Sequence, residues 1–302
     1  MTDTIDIIIQ LLGIPFVQRA LLGAVMVAFV ASTCGTFLVF RGLSFMTSGV
    51  AHAALGGAAL GLFLQYSGIA PWFHPVLGSL LFSMLVALVT GYAGESGVAQ
   101  KMEVAVGVSF ALSMSVAVFL MYYIPPTQVP RIWGYLIGDI LLLSDSDVAL
   151  LGITTLSLAL LMILFNREFV YVSVDMEGSI AHGLNARLYH YLLLISSSLA
   201  IALATKAVGS ILVYAIMVAP AAASNELFSS VRRVVVGVFV IALLSELAGL
   251  SLSFAAQVSP SAVAGILAAS SYVVALQIKR HRKGRKDHAH GVSSDAAVSN
   301  ES

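Results

Sequence analysis

Apolar runs long enough to cross a bilayer follow one another along almost the whole of this 302-residue chain, broken only by short polar joints. A helical span needs about 20 mostly apolar residues, because peptide groups inside hydrocarbon must find their hydrogen bonds within their own segment. Runs of this kind are predicted at about 14–40, 44–66, 74–93, 102–123, 147–165, 188–205, 206–226, 231–254 and 258–278, each bounded by charge, Gly or Pro. At Arg41 and at Lys206 a short re-entrant segment is the alternative to a full crossing. The fold class that follows is all-α: a polytopic bundle of eight or nine transmembrane helices with no soluble domain. With 59% hydrophobic and 10% charged residues, an ordinary soluble fold is excluded.

The fifteen Lys and Arg residues orient the bundle. With the C-terminus in the cytoplasm, Arg41, Lys101, Arg167, Arg187, Arg232, Arg233 and the six between Lys279 and Lys286 lie inside, and only Arg19, Arg131 and Lys206 lie outside. That bias satisfies the positive-inside rule for nine spans with an external N-terminus. Met1 to Asp6 carry acids and no basic stretch, so the first apolar run reads as a retained span rather than a cleaved signal. Residues 1–278 then form one transmembrane domain. Within it, a cytoplasmic segment at about 167–187 has room for a short helix near Glu177 to Gly183, with Asp175 as N-cap and Gly183 as stop. Residues 279–302 are basic and then rich in Ser, Ala, Asp and His, a composition that buries no core and predicts a disordered topology anchor. His281, His288 and His290 in that tail lack fixed geometry for metal binding.

Polar groups inside spans are costly, and each one is a functional candidate. Thr47, Ser48 and His52 open the second span, and the spacing of four puts Ser48 and His52 on one helix face. His52 is either a ligand for a passing ion or a structural partner for a neighbouring helix. The Ala and Gly run after it, with Gly57 and Gly61 four apart, either packs helices closely or leaves room for a solute. Glu246, in the middle of the eighth span, is either a pathway group or a neutral carboxyl bonded to a Ser or Thr of another helix. Glu103 and Asp139 read as interfacial. Lys206 reads as an external loop residue or a snorkelling anchor. Pro220 in the seventh span frees a carbonyl, as a hinge or as a packing feature.

The absences narrow the field further. The chain has no phosphate-binding G-x-x-x-x-G-K-[ST], no H-E-x-x-H and no G-x-S-x-G, so ATP hydrolysis or hydrolase chemistry would have to reside on another chain. Balanced charge, 15 basic against 15 acidic, removes any argument for nucleic-acid binding. The single cysteine, Cys34, excludes an internal disulfide or a thiolate metal cluster.

Taken in order, the polar motifs resemble those of the membrane permease subunits of bacterial ABC importers for zinc, manganese and iron. Arg41 to Gly57 resembles the family's signature of arginine, serine, aspartate and histidine followed by glycine. Glu103 to Gly107, Trp133 to Leu141, Asp175 to Gly183, Val208-Gly209 through Pro220-Ala221-Ala222, and Gly249 to Ala262 are similar to its later motifs, from about Gly23 to Ala275. The chain departs from the family at Ser48, where an aspartate usually precedes the histidine by four residues. Only the histidine half of an Asp-x-x-x-His pair, well suited to Zn²⁺, Mn²⁺ or Fe²⁺, remains.

The resemblance implies a non-catalytic transport subunit in the bacterial inner membrane. It would pass a divalent ion along Thr47, Ser48, His52 and Glu246, with Pro220 as hinge. An extracytoplasmic binding protein would deliver the ion. A cytoplasmic ATPase, which holds the ATP, would dock on Asp175, Glu177, His182, Gly183 and Asn185, and two permeases would pair. No cofactor is held permanently. Two alternatives stay open, namely an ABC permease for a metal chelate or other small solute, and an ion-coupled secondary transporter using Glu246.

Overall fold

The computed structural model describes residues 13–94, 99–138 and 140–299, with side chains to 282 apart from those of Ala99 and Ala255. Asp139, expected at a span end, lies outside them, as do the side chains of His288 and His290. Among the described residues there are eleven helices, of which nine are long and apolar enough to cross a membrane. The spans are α1 Pro15–Phe40, α2 Ser44–Tyr66, α3 Pro75–Gly94, α4 Ala99–Met121, α6 Asp145–Val174, α8 Ala186–Val208, α9 Ser210–Leu227, α10 Val231–Ala256 and α11 Pro260–Ser299. Two short helices, α5 Val129–Ile137 and α7 Met176–Ala181, lie between spans at opposite ends of the bundle.

Both expected splits are full crossings. At Arg41 the chain reverses through Gly42, whose φ of 69° admits no ordinary side chain cheaply. Leu43 N–H donates to Leu38 O at 2.8 Å and Gly42 N–H to Val39 O at 3.0 Å, the paired bonds of a Schellman stop. After Lys206, Gly209 at φ 86° separates α8 from α9. A second glycine, Gly138 at φ 64°, crosses it so closely that a Cβ on Gly138 would sit 2.1 Å from Gly209 N. This backbone crossing pins α5 to the α8–α9 joint, and Ser210 Oγ donates to Leu136 O beside it.

The glycine run of α2 is occupied by packing. A Cβ on Gly57 would lie 2.0 Å from Gly78 O of α3, and one on Gly61 would lie 2.6 Å from Pro75 Cα. On the neighbouring face, Gly56 meets Ser113 O of α4. Of the two uses open to this stripe, close backbone approach is the one the structure shows. Helices α1, α2 and α8 form the buried centre, while α4, α6 and α11 are largely exposed at the perimeter. Midway along α1, residues Ala31–Gly35 form a π-helical turn, fully buried, with Gly35 against the backbone of Met217 in α9.

Two elements run further than the sequence predicts. The fifth span does not stop at 165, since α6 kinks at Phe165 (φ −122°, ψ 21°) and continues to Val174. The extension holds because Phe169 and Val172 are buried against the bundle, and no Gly or Pro interrupts 166–174. Likewise α11 continues past Lys279 to Ser299 as helix, where composition predicts an unfolded tail.

Candidate functional site

Thr47, Ser48 and His52 share the first turns of α2, at the end of the bundle where α1 finishes in Arg41. Thr47 is fully buried and its Oγ1 has no hydrogen-bond partner among the described residues. The His52 ring lies 4.5 Å from that of Phe110 in α4, at 62°. Its Nδ1 is 2.9 Å from Ser48 O. A carbonyl can only accept, so Nδ1 carries a proton and a neutral ring keeps its lone pair on Nε2, the arrangement found in histidines that bind metals through Nε2. The Ser48 carbonyl thus sets the tautomer of His52.

Glu246 is not brought to this place. It sits in α10, 4% exposed, with Oε1 lacking a hydrogen-bond partner and no ion pair reaching it among the described residues. Helix α10 packs on α1, α9 and α11, and not substantially on α2. Among the described residues no three His, Cys, Asp or Glu side chains come together as a metal site. Pro220 is buried inside α9, which runs through it unbroken from Ser210 to Leu227.

The Arg41 end carries α7. Asp175 caps this helix, accepting from Gly178 N at 2.8 Å, and Asn185 caps α8, accepting from Leu188 N at 3.2 Å. His182 Nδ1–H donates to Gly178 O at 2.7 Å, and Gly183 stops the turn at φ 80°. The inward side is fixed by the buried Ser179, which donates to Asp175 O. The outward side leaves Glu177, Ile180, Ala181 and His182 exposed.

Arg41 holds this helix to the spans, a contact the sequence does not foretell. Its Nη1 donates to Val172 O, in the last turn of α6, at 2.6 Å, and its Nη2 approaches Met176 Sδ of α7 at 3.5 Å. A cation on the carbonyl end of a helix is favoured by the helix dipole. Burial lowers the Arg41 pKa from its usual value without threatening its charge. One side chain therefore joins the α1–α2 turn to α6 and α7.

The opposite end opens into a cavity of about 1360 Å³ lined by Gln65, His74, Arg131, Tyr135, Asp147 and Lys206, among others. Lys206 is no free anchor here, because it pairs with Asp147 across α8 and α6. Beside it Arg19 pairs with Asp145 at 2.8 Å and donates to Leu143 O at 3.2 Å. Ser144 and Asp147 form a capping box that starts α6. Partial burial, and then the charge of Lys206, hold His74 below the usual imidazole range. Burial pushes the Tyr135 hydroxyl up to about 12, so it stays neutral.

The order of the helices, the cavity at one end and the exposed helix at the other invite comparison with known proteins. The ABC 3 transport family matches residues 13–279. The chain belongs to the ABC 3 transport family. A family relative, the manganese transport system membrane protein MntC of Listeria monocytogenes, is 26% identical over 86% of this chain and 89% of its own. The high-affinity zinc uptake system membrane protein ZnuB of Haemophilus influenzae is 26% identical over 87% and 97%. Among solved structures, PsaBC of Streptococcus pneumoniae in complex with a Fab is 25% identical, with a TM-score of 0.77 over 90% of this chain and 95% of that chain. Membership accounts for the order of motifs. The structure adds what those motifs do locally: Arg41 clamps α7, the Gly138 and Gly209 pair crosses, and Asp175 and Asn185 are helix caps.

Proposed function

We propose that this chain is the membrane permease of an ATP-driven importer for a divalent transition-metal ion, with ATP hydrolysed on a separate cytoplasmic subunit. What carries the reading is family membership over 13–279 in a chain whose nine candidate spans leave one short, capped and outwardly exposed helix at one end. In this account the Arg41 end faces the cytoplasm, and α7 with Glu177, His182, Gly183 and Asn185 seats in the ATPase. Arg41 passes the movement of α7 to α1, α2 and α6. The cavity at the Lys206 end receives the ion from an extracytoplasmic binding protein. His52 offers Nε2 to the ion in transit, with Thr47 and Ser48 beside it, and two permease chains pair around the path. The manganese and zinc relatives support a metal as cargo. A path with one imidazole and no adjacent carboxylate holds an ion weakly, as passage requires. In this arrangement Glu246 is remote from His52 within one chain, and Pro220 serves α9 as an internal flex point.

A metal chelate is the second reading, favoured by one observation. The outer cavity is far wider than a bare ion needs, and its cations Arg131 and Lys206 outnumber its one carboxylate, Asp147. The experiment that tests the main reading is uptake by the reconstituted permease and its ATPase, with Mn²⁺ or Zn²⁺ supplied on the binding protein. ATP-dependent uptake that falls at least tenfold in His52→Ala is expected. Uptake of free or delivered ions that ignores ATP contradicts it, and ATPase stimulation by a chelate but not by an ion selects the second reading.

A further inference from the structure

At the Arg41 end a groove of about 480 Å³ opens between the end of α9 and the start of α10. Its floor is apolar. Gly237 lies so close beneath Phe228 that a Cβ there would sit 2.7 Å from the ring, and Leu227, Val236 and Val240 complete the walls. Two arginines, Arg232 and Arg233, stand at its mouth, both exposed.

Among the described residues no carboxylate answers their charge. The first turn of α10 holds no acidic residue, and Ser230 makes no side-chain capping bond. Arg233 Nε donates to Ser230 Oγ at 2.9 Å, which leaves both charges unneutralised. Among the described residues neither arginine joins an ion pair, and the nearest acid in sequence, Glu226, is taken by Lys279 of α11. Two guanidinium groups at the positive end of a helix dipole repel it and each other unless an anion lies between them.

The apolar wall continues beyond the arginines. Val236, Val240 and Leu244 follow at steps of four along α10, exposed by 56%, 46% and 60%. A free phosphate would satisfy the arginines and leave this stripe bare, whereas an apolar segment would cover the stripe and leave the charges unmet. We infer that the groove between α9 and α10 binds an anionic phospholipid, with its phosphate on Arg232 and Arg233 and an acyl chain along Val236, Val240 and Leu244. Basic pockets between spans at a membrane interface hold acidic headgroups in this way, and exposed arginines lie at the depth of the phosphates.

The test uses the full chain, delipidated in detergent and titrated with dioleoylphosphatidylglycerol or dioleoylphosphatidylcholine, with bound lipid counted by native mass spectrometry. The wild type is expected to prefer phosphatidylglycerol by roughly tenfold or more, given two cations at the headgroup. Arg232→Gln with Arg233→Gln erases the preference, and the paired Arg→Lys variant keeps most of it. Val236→Trp fills the groove, leaves both arginines and weakens both lipids. All these sites are exposed, so unchanged thermal unfolding serves as the folding control. Equal binding of the two lipids, or a preference untouched by the double Gln variant, overturns the inference. So does displacement by inorganic phosphate with no effect of Val236→Trp, which would reduce the site to an anion patch. A cysteine cross-link between the residues at 240 of two copies overturns it in favour of a dimer contact.

Discussion

The two ends of the bundle are held by different means. At the Lys206 end, ion pairs tie α1 and α8 to the start of α6, and two glycines lock α5 onto the α8–α9 joint around a large cavity. At the Arg41 end a six-residue helix is tied to the spans by Arg41 and its buried Ser179, and its outer side is exposed. The first end surrounds an open cavity with several fixed contacts. The second presents a short helix with an exposed outer side, the shape expected of a part moved by another protein.

The largest effect expected from this contrast is functional. Glu177→Lys with Ile180→Lys changes only exposed positions of α7, so ATP-driven metal uptake should fall to background while thermal unfolding stays unchanged; retained uptake would deny α7 that role. Next comes Gly138→Ala, which drives a Cβ into Gly209 and forces φ 64° on a side chain. It should cost roughly 3 kcal/mol or more, read as a large drop in the unfolding temperature in detergent. A smaller loss is expected from Lys206→Met. That change leaves Asp147 unpaired at a partly wet cavity mouth, at a cost of about 1–2 kcal/mol, and Asp147→Asn should restore part of it in a double-mutant cycle. Additive losses would show that the pair does not hold this end.

The smallest effect is a pH dependence from His74. Its folded-state pKa lies below 6.5, so the unfolded chain binds the proton more readily, and stability present above that pH is lost as pH falls through the folded value. A shallow decline of the unfolding temperature in this acidic window, flattened by His74→Gln, is the expected result. A steeper decline in the variant would reverse the sign.

The spans were legible because apolar runs and bounding charges are local properties. All nine candidates were found, including the crossings on either side of Arg41 and Lys206. The helix cap at Asp175 was equally legible, since a cap is decided within four residues. Contacts between distant segments were not. The clamp from Arg41 to Val172 spans 131 residues, and the Lys206 pair with Asp147 spans 59; no local pattern announces either. The end of α6 was missed because Asn166, Arg167 and Glu168 look like a loop, while the burial that keeps the helix going comes later, at Phe169 and Val172. For the ion path, the Ser48–His52 spacing was readable, but the separation of Glu246 from that face follows only from which helices pack together.

Import as proposed requires α7 and the large cavity to face opposite sides of the membrane, with α7 in the cytoplasm. Cys34 is the sole cysteine and is buried, so a single introduced cysteine reports cleanly. Arg131→Cys and Glu177→Cys, each in intact cells, can be exposed to a membrane-impermeant maleimide. Rapid labelling at 131 from outside, with labelling at 177 only after the cells are broken open, is the predicted result. Labelling at 177 from outside would contradict the account, because no cytoplasmic ATPase could then reach the helix it is proposed to drive.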